Sequence, residues 1–167
     1  MPKVKPVFEE NLPEDVKDRV SFVPTDIFQP QATAADIYLL KLILHDYPAQ
    51  AASNILKNLV PALKKGSRVV LIEYIGKVVD EDEKKEEGAE KEEGAEKEEV
   101  GPSMPRSISQ YGTATDLRMR ALFNAKERSA EAYRDIFKQA DERFDVVQVN
   151  WNPLTFFAVI EAVWKGE

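Results

Sequence analysis

The chain has no cysteine and one histidine, His45. No disulfide can form, no thiolate can hold an ion, and a zinc site built from several His and Cys ligands is excluded, so no metal is expected. The absence of cysteine fits a reducing, cytoplasmic setting. Glycine is scarce too. The seven glycines stand apart from one another and none forms a GxG, so the glycine-rich loop that cradles phosphates or nucleotides is missing from this stretch. No apolar run approaches the roughly 18 residues of a membrane span. The opening MPKVKPVFEENLPEDVK lacks the apolar core of a signal peptide. A basic face is missing as well: residues 80–99 hold 12 of the 30 acidic side chains and 4 of the 23 basic ones, which leaves the remainder near neutrality. Neither nucleic acid nor membrane is expected as a partner.

What is present suits one domain, 1–167, with 43% hydrophobic residues to build a core. Its centre is Ile37 to Pro48, IYLLKLILHDYP. The apolar run Ile37–Leu44, broken only by Lys41, predicts a strand buried on both faces, as in parallel α/β sheets. Ligands in such sheets sit at the carboxyl ends of strands, where His45 falls. From Pro48 onward, Ala52, Ile55, Leu56, Leu59 and Leu63 recur at helical spacing, and Lys64-Lys65-Gly66 supplies a stop. Ser67–Ile75 predicts a second buried strand, so the three pieces form a βαβ unit. Upstream, Pro6–Lys17 predicts one short helix and Arg19–Val23 a short strand. Downstream, Leu117–Phe123 and the stretch from Ser129 predict helices, the latter with Tyr133, Ile136 and Phe137 on one face. Phe144–Trp151 and Thr155–Trp164, separated by Asn152-Pro153, predict an antiparallel hairpin at the sheet edge.

Between them, EEGAEK repeats at 86–91 and 92–97 and decays into EEVGPS. Glu and Lys at i,i+4 favour a helix, whereas Gly88 and Gly94 oppose one by about 1 kcal/mol each. With no apolar face to dock, an acidic low-complexity insertion at about 78–102 in a surface loop is the reading preferred.

The pieces RVSFVPTDIF, ADIYLLKLILHDYP, NILKNLVPALKKGSRVVLIEYI and DLRMRALFNAKERS, together with the closing hairpin, resemble in order the plant and fungal small-molecule O-methyltransferases of the caffeic-acid type. The resemblance implies an α/β fold, here an incomplete Rossmann-like class I methyltransferase sheet, with S-adenosylmethionine as cofactor and a small hydroxylated molecule as acceptor. It implies His45 as the general base that takes the acceptor's proton, flanked by Glu73 and Glu127. It places Asp26 and Ile27 near the adenine, makes Lys41 a cofactor residue, and assigns Asp46, Met119 and Asn124 to the acceptor pocket. Structural alternatives stand beside several of these: a strand-end glutamate in water for Glu73, a first-turn acid favoured by a helix dipole for Glu127, and ordinary core for Met119.

The chain departs from the family pattern as well. Tyr47 replaces the usual tryptophan after His-Asp. The cofactor site is incomplete, because the family's glycine-rich loop should precede residue 1, as should the N-terminal domain through which the family homodimerises. Two inner strands are then missing. Ile37–Leu44 becomes an exposed apolar edge unless Arg19–Val23 shifts over to pair with it. An inactive C-terminal remnant, a protein that binds a partner without catalysis, and an acidic interaction protein working through 80–99 are the competing readings.

Overall fold

A computed structural model describes residues 4–75, 106–151 and 157–166. The expected insertion at 78–102 lies outside the described residues. The chain runs α1 (Val4–Asn11), β1 (Ile37–Lys41), α2 (Ala49–Lys57), β2 (Arg68–Tyr74), α3 (Arg106–Phe123), α4 (Ala130–Ala140), β3 (Phe144–Trp151) and β4 (Phe157–Trp164), with short 3₁₀ turns at Glu14–Val16, Leu44–Asp46 and Val60–Ala62.

The strands form one sheet in the order β1-β2-β4-β3. β1 and β2 are parallel, from Ile37 opposite Arg68 to Lys41 opposite Ile72. β4 is antiparallel to both β2 and β3. The βαβ unit and the hairpin are therefore as expected, with β3 at one edge and β1 at the other. Period-2 burial follows from the pleat. Along β2, Val69, Leu71 and Glu73 are buried while Val70, Ile72 and Tyr74 are half-buried. Val69 and Leu71 join Ile160, Ala162 and Trp164 of β4 in one core with Ile55 and Leu56 of α2 and Tyr133, Ile136 and Phe137 of α4. The helical spacing of these residues puts each set on one side of its helix. Ser129 caps α4, its hydroxyl accepting from the Ala132 N–H at 3.2 Å.

Three expectations are corrected. Arg19–Val23 forms no strand and pairs with nothing in the sheet. Its alternating apolar residues find a neighbour on α1 instead, where the Phe22 ring lies 5.4 Å from that of Phe8. The strand expected over Ile37–Leu44 stops at Lys41, because Leu42 takes a left-handed φ of 53° and turns the chain away. Nor is β1 buried on both faces: Ile37 and Leu39 are 61% and 62% exposed, on the sheet face opposite the helix-packed core. An apolar run reads the same whether one face or two are covered. The exposed apolar edge is as expected. Leu117, Leu122 and Phe123 of α3 are also exposed, leaving Thr115 and Met119 as its buried positions among those described. No helix among the described residues is long and apolar enough to cross a membrane.

Candidate functional site

At the carboxyl end of β1 the chain changes direction within five residues. The Leu42 N–H completes the ladder by donating to the Ile72 carbonyl at 2.9 Å. Its positive φ, costly for a residue with a branched side chain, then swings the backbone into the 3₁₀ turn Leu44–Asp46 that carries His45. The imidazole is buried, 5% exposed.

Glu73 comes up from the adjacent strand. Its buried Oε1 accepts the N–H groups of Ile43 and Leu44 at 3.2 and 2.8 Å. The carboxylate therefore fixes the turn under His45, and its charge acts on the imidazole without a described hydrogen bond to the ring. The reading of Glu73 as a strand-end acid in water fails, since the residue is fully buried.

Glu127 does meet the ring, with Oε1 3.4 Å from His45 Nδ1 and both side chains nearly inaccessible. It lies two residues before the Ser129 cap, outside α4, so a helix dipole does not account for it. Asp116 of α3 holds it in place: Oδ1 accepts the Glu127 N–H at 3.0 Å while Oδ2 pairs with Arg120 at 2.9 Å. At the other ring nitrogen the half-exposed Asp46 brings Oδ1 to 3.4 Å from His45 Nε2. The Tyr74 ring lies 5.8 Å from the imidazole.

These charges act on one another. Burial opposes a charged imidazole, but the Glu127 hydrogen bond and the carboxylates of Glu73, Glu127 and Asp46 together outweigh it and raise the His45 pKa above its ordinary 6.5. Burial also raises Glu73 above the usual 4.5, against the pull of the Leu44 N–H, the His45 charge and the Ile43 N–H. Tyr133, buried beside this group, is raised well above 10, chiefly by burial.

The remaining sequence-predicted residues divide. Asp26 is exposed and closes a turn, accepting the Phe28 N–H at 2.9 Å. Phe28 packs edge-on against Tyr47 at 5.3 Å, and Asn58 donates to the Ile27 carbonyl at 3.3 Å, which sets this turn beside the one carrying His45. The Ile27 side chain packs inward on the core. Lys41, at the end of β1, places its ammonium 5.9 Å from the centre of the Phe157 ring. Met119 is buried on α3. Asn124 is exposed, and no described hydrogen bond links it to His45. With a φ of 50° it ends α3 and turns the chain back so that the Ala125 N–H reaches the Met119 carbonyl at 3.2 Å.

Two residues were missed. Asp116 gives no local signal beyond an i,i+4 pair with Arg120. Arg128 reads in KERS as a surface charge before a helix, yet it is 2% exposed and donates to the carbonyls of Leu44, at 2.7 Å, and of Tyr47. Among the described residues, no group of three or more His, Asp or Glu is placed to hold a metal ion.

The sequence matches the O-methyltransferase domain over residues 1–142. O-methyltransferase lcsG of Purpureocillium lilacinum is 34% identical over 173 residues, a match spanning 99% of this chain and 31% of that protein. The chain thus spans about a third of the length of the curated relatives it matches. Among solved structures, LepI in complex with SAM superposes with a TM-score of 0.71 at 21% identity, over 98% of this chain and 34% of LepI. NcsB1, an O-methyltransferase from neocarzinostatin biosynthesis in complex with S-adenosylmethionine and 2-hydroxy-5-methyl naphthoic acid, superposes with a TM-score of 0.66 at 21% identity, over 98% of this chain and 38% of NcsB1. At those identities the structural likeness speaks for the fold. The sequence match over residues 1–142 speaks for descent, and by it the chain belongs to the O-methyltransferase domain family.

Proposed function

We propose that this chain carries the acceptor-activating part of an S-adenosylmethionine-dependent O-methyltransferase site, in which His45 takes a proton from a hydroxyl of a small aromatic acceptor. The observation that carries the proposal is the buried contact of Glu127 with His45 Nδ1. The Glu127 carboxylate, far more buried than that of Asp46 at Nε2, favours the proton on Nδ1 and leaves Nε2 as the acceptor. A phenol of pKa near 10 is almost wholly protonated at neutral pH, and an imidazole within reach removes that proton as the oxygen attacks. Glu127 and Glu73 then stabilise the imidazolium that forms.

The cofactor, when bound, supplies an electrophilic methyl group on a sulfonium. The residues present fit part of it. Asp26, exposed on a turn beside the one carrying His45, offers a carboxylate to the amino group of an adenine, with Lys41 at the end of the neighbouring strand. The methionine end has no glycine cradle among the described residues. Gly66 and Gly166, the described glycines with positive φ, lie at the opposite end of the sheet.

Transfer of labelled methyl groups from S-adenosylmethionine to a panel of hydroxylated aromatics, with calorimetric titration of the cofactor, tests this reading. We expect a methyl ether product, and a loss of about 10²–10⁴-fold in rate for His45→Ala. The rate should climb as pH rises through the raised His45 value. Glu127→Gln should move that limb to lower pH, because it weakens the hold on the imidazolium. No transfer and no heat at millimolar cofactor would favour the non-catalytic reading.

A further inference from the structure

His45 is bracketed by two main-chain carbonyls, those of Leu44 and Tyr47, and both are gripped by one guanidinium. Arg128 is 2% exposed, with the Tyr133 ring 6.0 Å away. A buried cation is costly unless its partners repay the lost hydration. Two carboxylates, Glu73 and Glu127, lie within the same cluster, yet the hydrogen bonds of Arg128 go to neutral carbonyls on either side of His45. The backbone of Arg128 is in turn fixed by a parallel bridge to Ile75, one residue beyond β2. Glu73 holds the amide side of the same turn. The segment that delivers the Glu127 carboxylate to the imidazole therefore also fastens the platform on which the imidazole stands.

We propose that Arg128 is a positioning residue for the base, its forked guanidinium setting the angle of the His45 ring to Glu127 by tying down the carbonyls of Leu44 and Tyr47. This rests on reading His45 as the base. A fork is needed because the two carbonyls are separate acceptors. The five donors of Arg lie in one rigid plane, whereas a lysine offers a single ammonium and cannot span both in that geometry. The groups that face His45 are Glu127 from the loop before α4, Glu73 and the Tyr74 ring from β2, and Asp46 beside it, with Arg128 behind the turn.

Because the chain has a single histidine, the imidazole Cε1–H proton of the full chain gives one titrating NMR signal whose midpoint is read without turnover. In Arg128→Lys the positive charge stays but the fork is lost. The midpoint should fall toward 6.5 as the Glu127 contact loosens, and the same change in a Glu127→Gln background should move it no further. A role through charge alone gives a different pattern: Lys behaves as Arg, and Arg128→Met raises the midpoint by removing a cation. That pattern, or an unmoved midpoint in folded Arg128→Lys, overturns the proposal. A Lys variant with no folded chain by circular dichroism overturns it too, since Arg128 then serves the fold alone. A chain that transfers no methyl group but shows the downward shift loses the proposed function and keeps this assignment.

Discussion

At its amino end the β1–β2 pair is closed by small residues and main chain. The Ser67 hydroxyl accepts the Lys64 N–H at 3.1 Å and donates to the Ala35 carbonyl at 2.9 Å, and the Gly66 N–H reaches the Trp164 carbonyl at 2.8 Å. Gly66 takes its φ of 87° at no steric cost. At the carboxyl end the same tasks fall to a leucine in a left-handed conformation and to buried ionisable side chains, with Glu73 on the amides and Arg128 on the carbonyls. A turn that only had to be stable could be built like the first. The second holds a titratable ring in place, and its materials follow from that.

The contrast can be broken at either end. Glu73→Ala should be the most damaging change, at about 3–5 kcal/mol, because it leaves the buried N–H groups of Ile43 and Leu44 without an acceptor and opens a cavity. Glu73→Gln, which keeps an acceptor, should recover much of this in urea titrations. Ser67→Ala should cost about 1–2 kcal/mol by the same measurement. If it matched Glu73→Ala, the two ends would not differ in kind.

The smallest effect is one of pH. The folded values of both His45 and Glu73 are raised, so the native chain holds these protons more tightly than the unfolded one. Their stabilisation is fully present below the ordinary values of 6.5 and 4.5 and is lost as pH climbs through the folded ones. Thermal midpoints should therefore decline with rising pH above 6.5, and His45→Gln should flatten that decline.

Much of the carboxyl-terminal architecture was legible in the sequence, because the signals there are local and agree with the tertiary result. The helical spacing of Ile55 and Leu56, the Ser129 cap and the β-rich runs around Asn152-Pro153 each point to the element observed or its bounds. Arg19–Val23 failed for the opposite reason: β-branched alternation makes a strand only when another strand stands beside it, and Phe22 found Phe8. At the site, His45 and Glu73 were visible as a histidine and a charge at the ends of apolar strands. Arg128 was not, since nothing in KERS distinguishes a buried guanidinium from a solvated one. Its burial is decided by carbonyls 84 and 81 residues away in the chain.

Those separations bear on how the protein comes to have a base at all. The His45–Glu127 contact closes a loop of 82 residues, and the two Arg128 bonds close loops of similar span. Closures of that length cost more chain entropy than the turns of the local hairpin and helices. A chain in which the His45–Glu127 contact is open carries an ordinary histidine, so the raised affinity for its proton belongs to the folded state and not to the HDYP segment by itself.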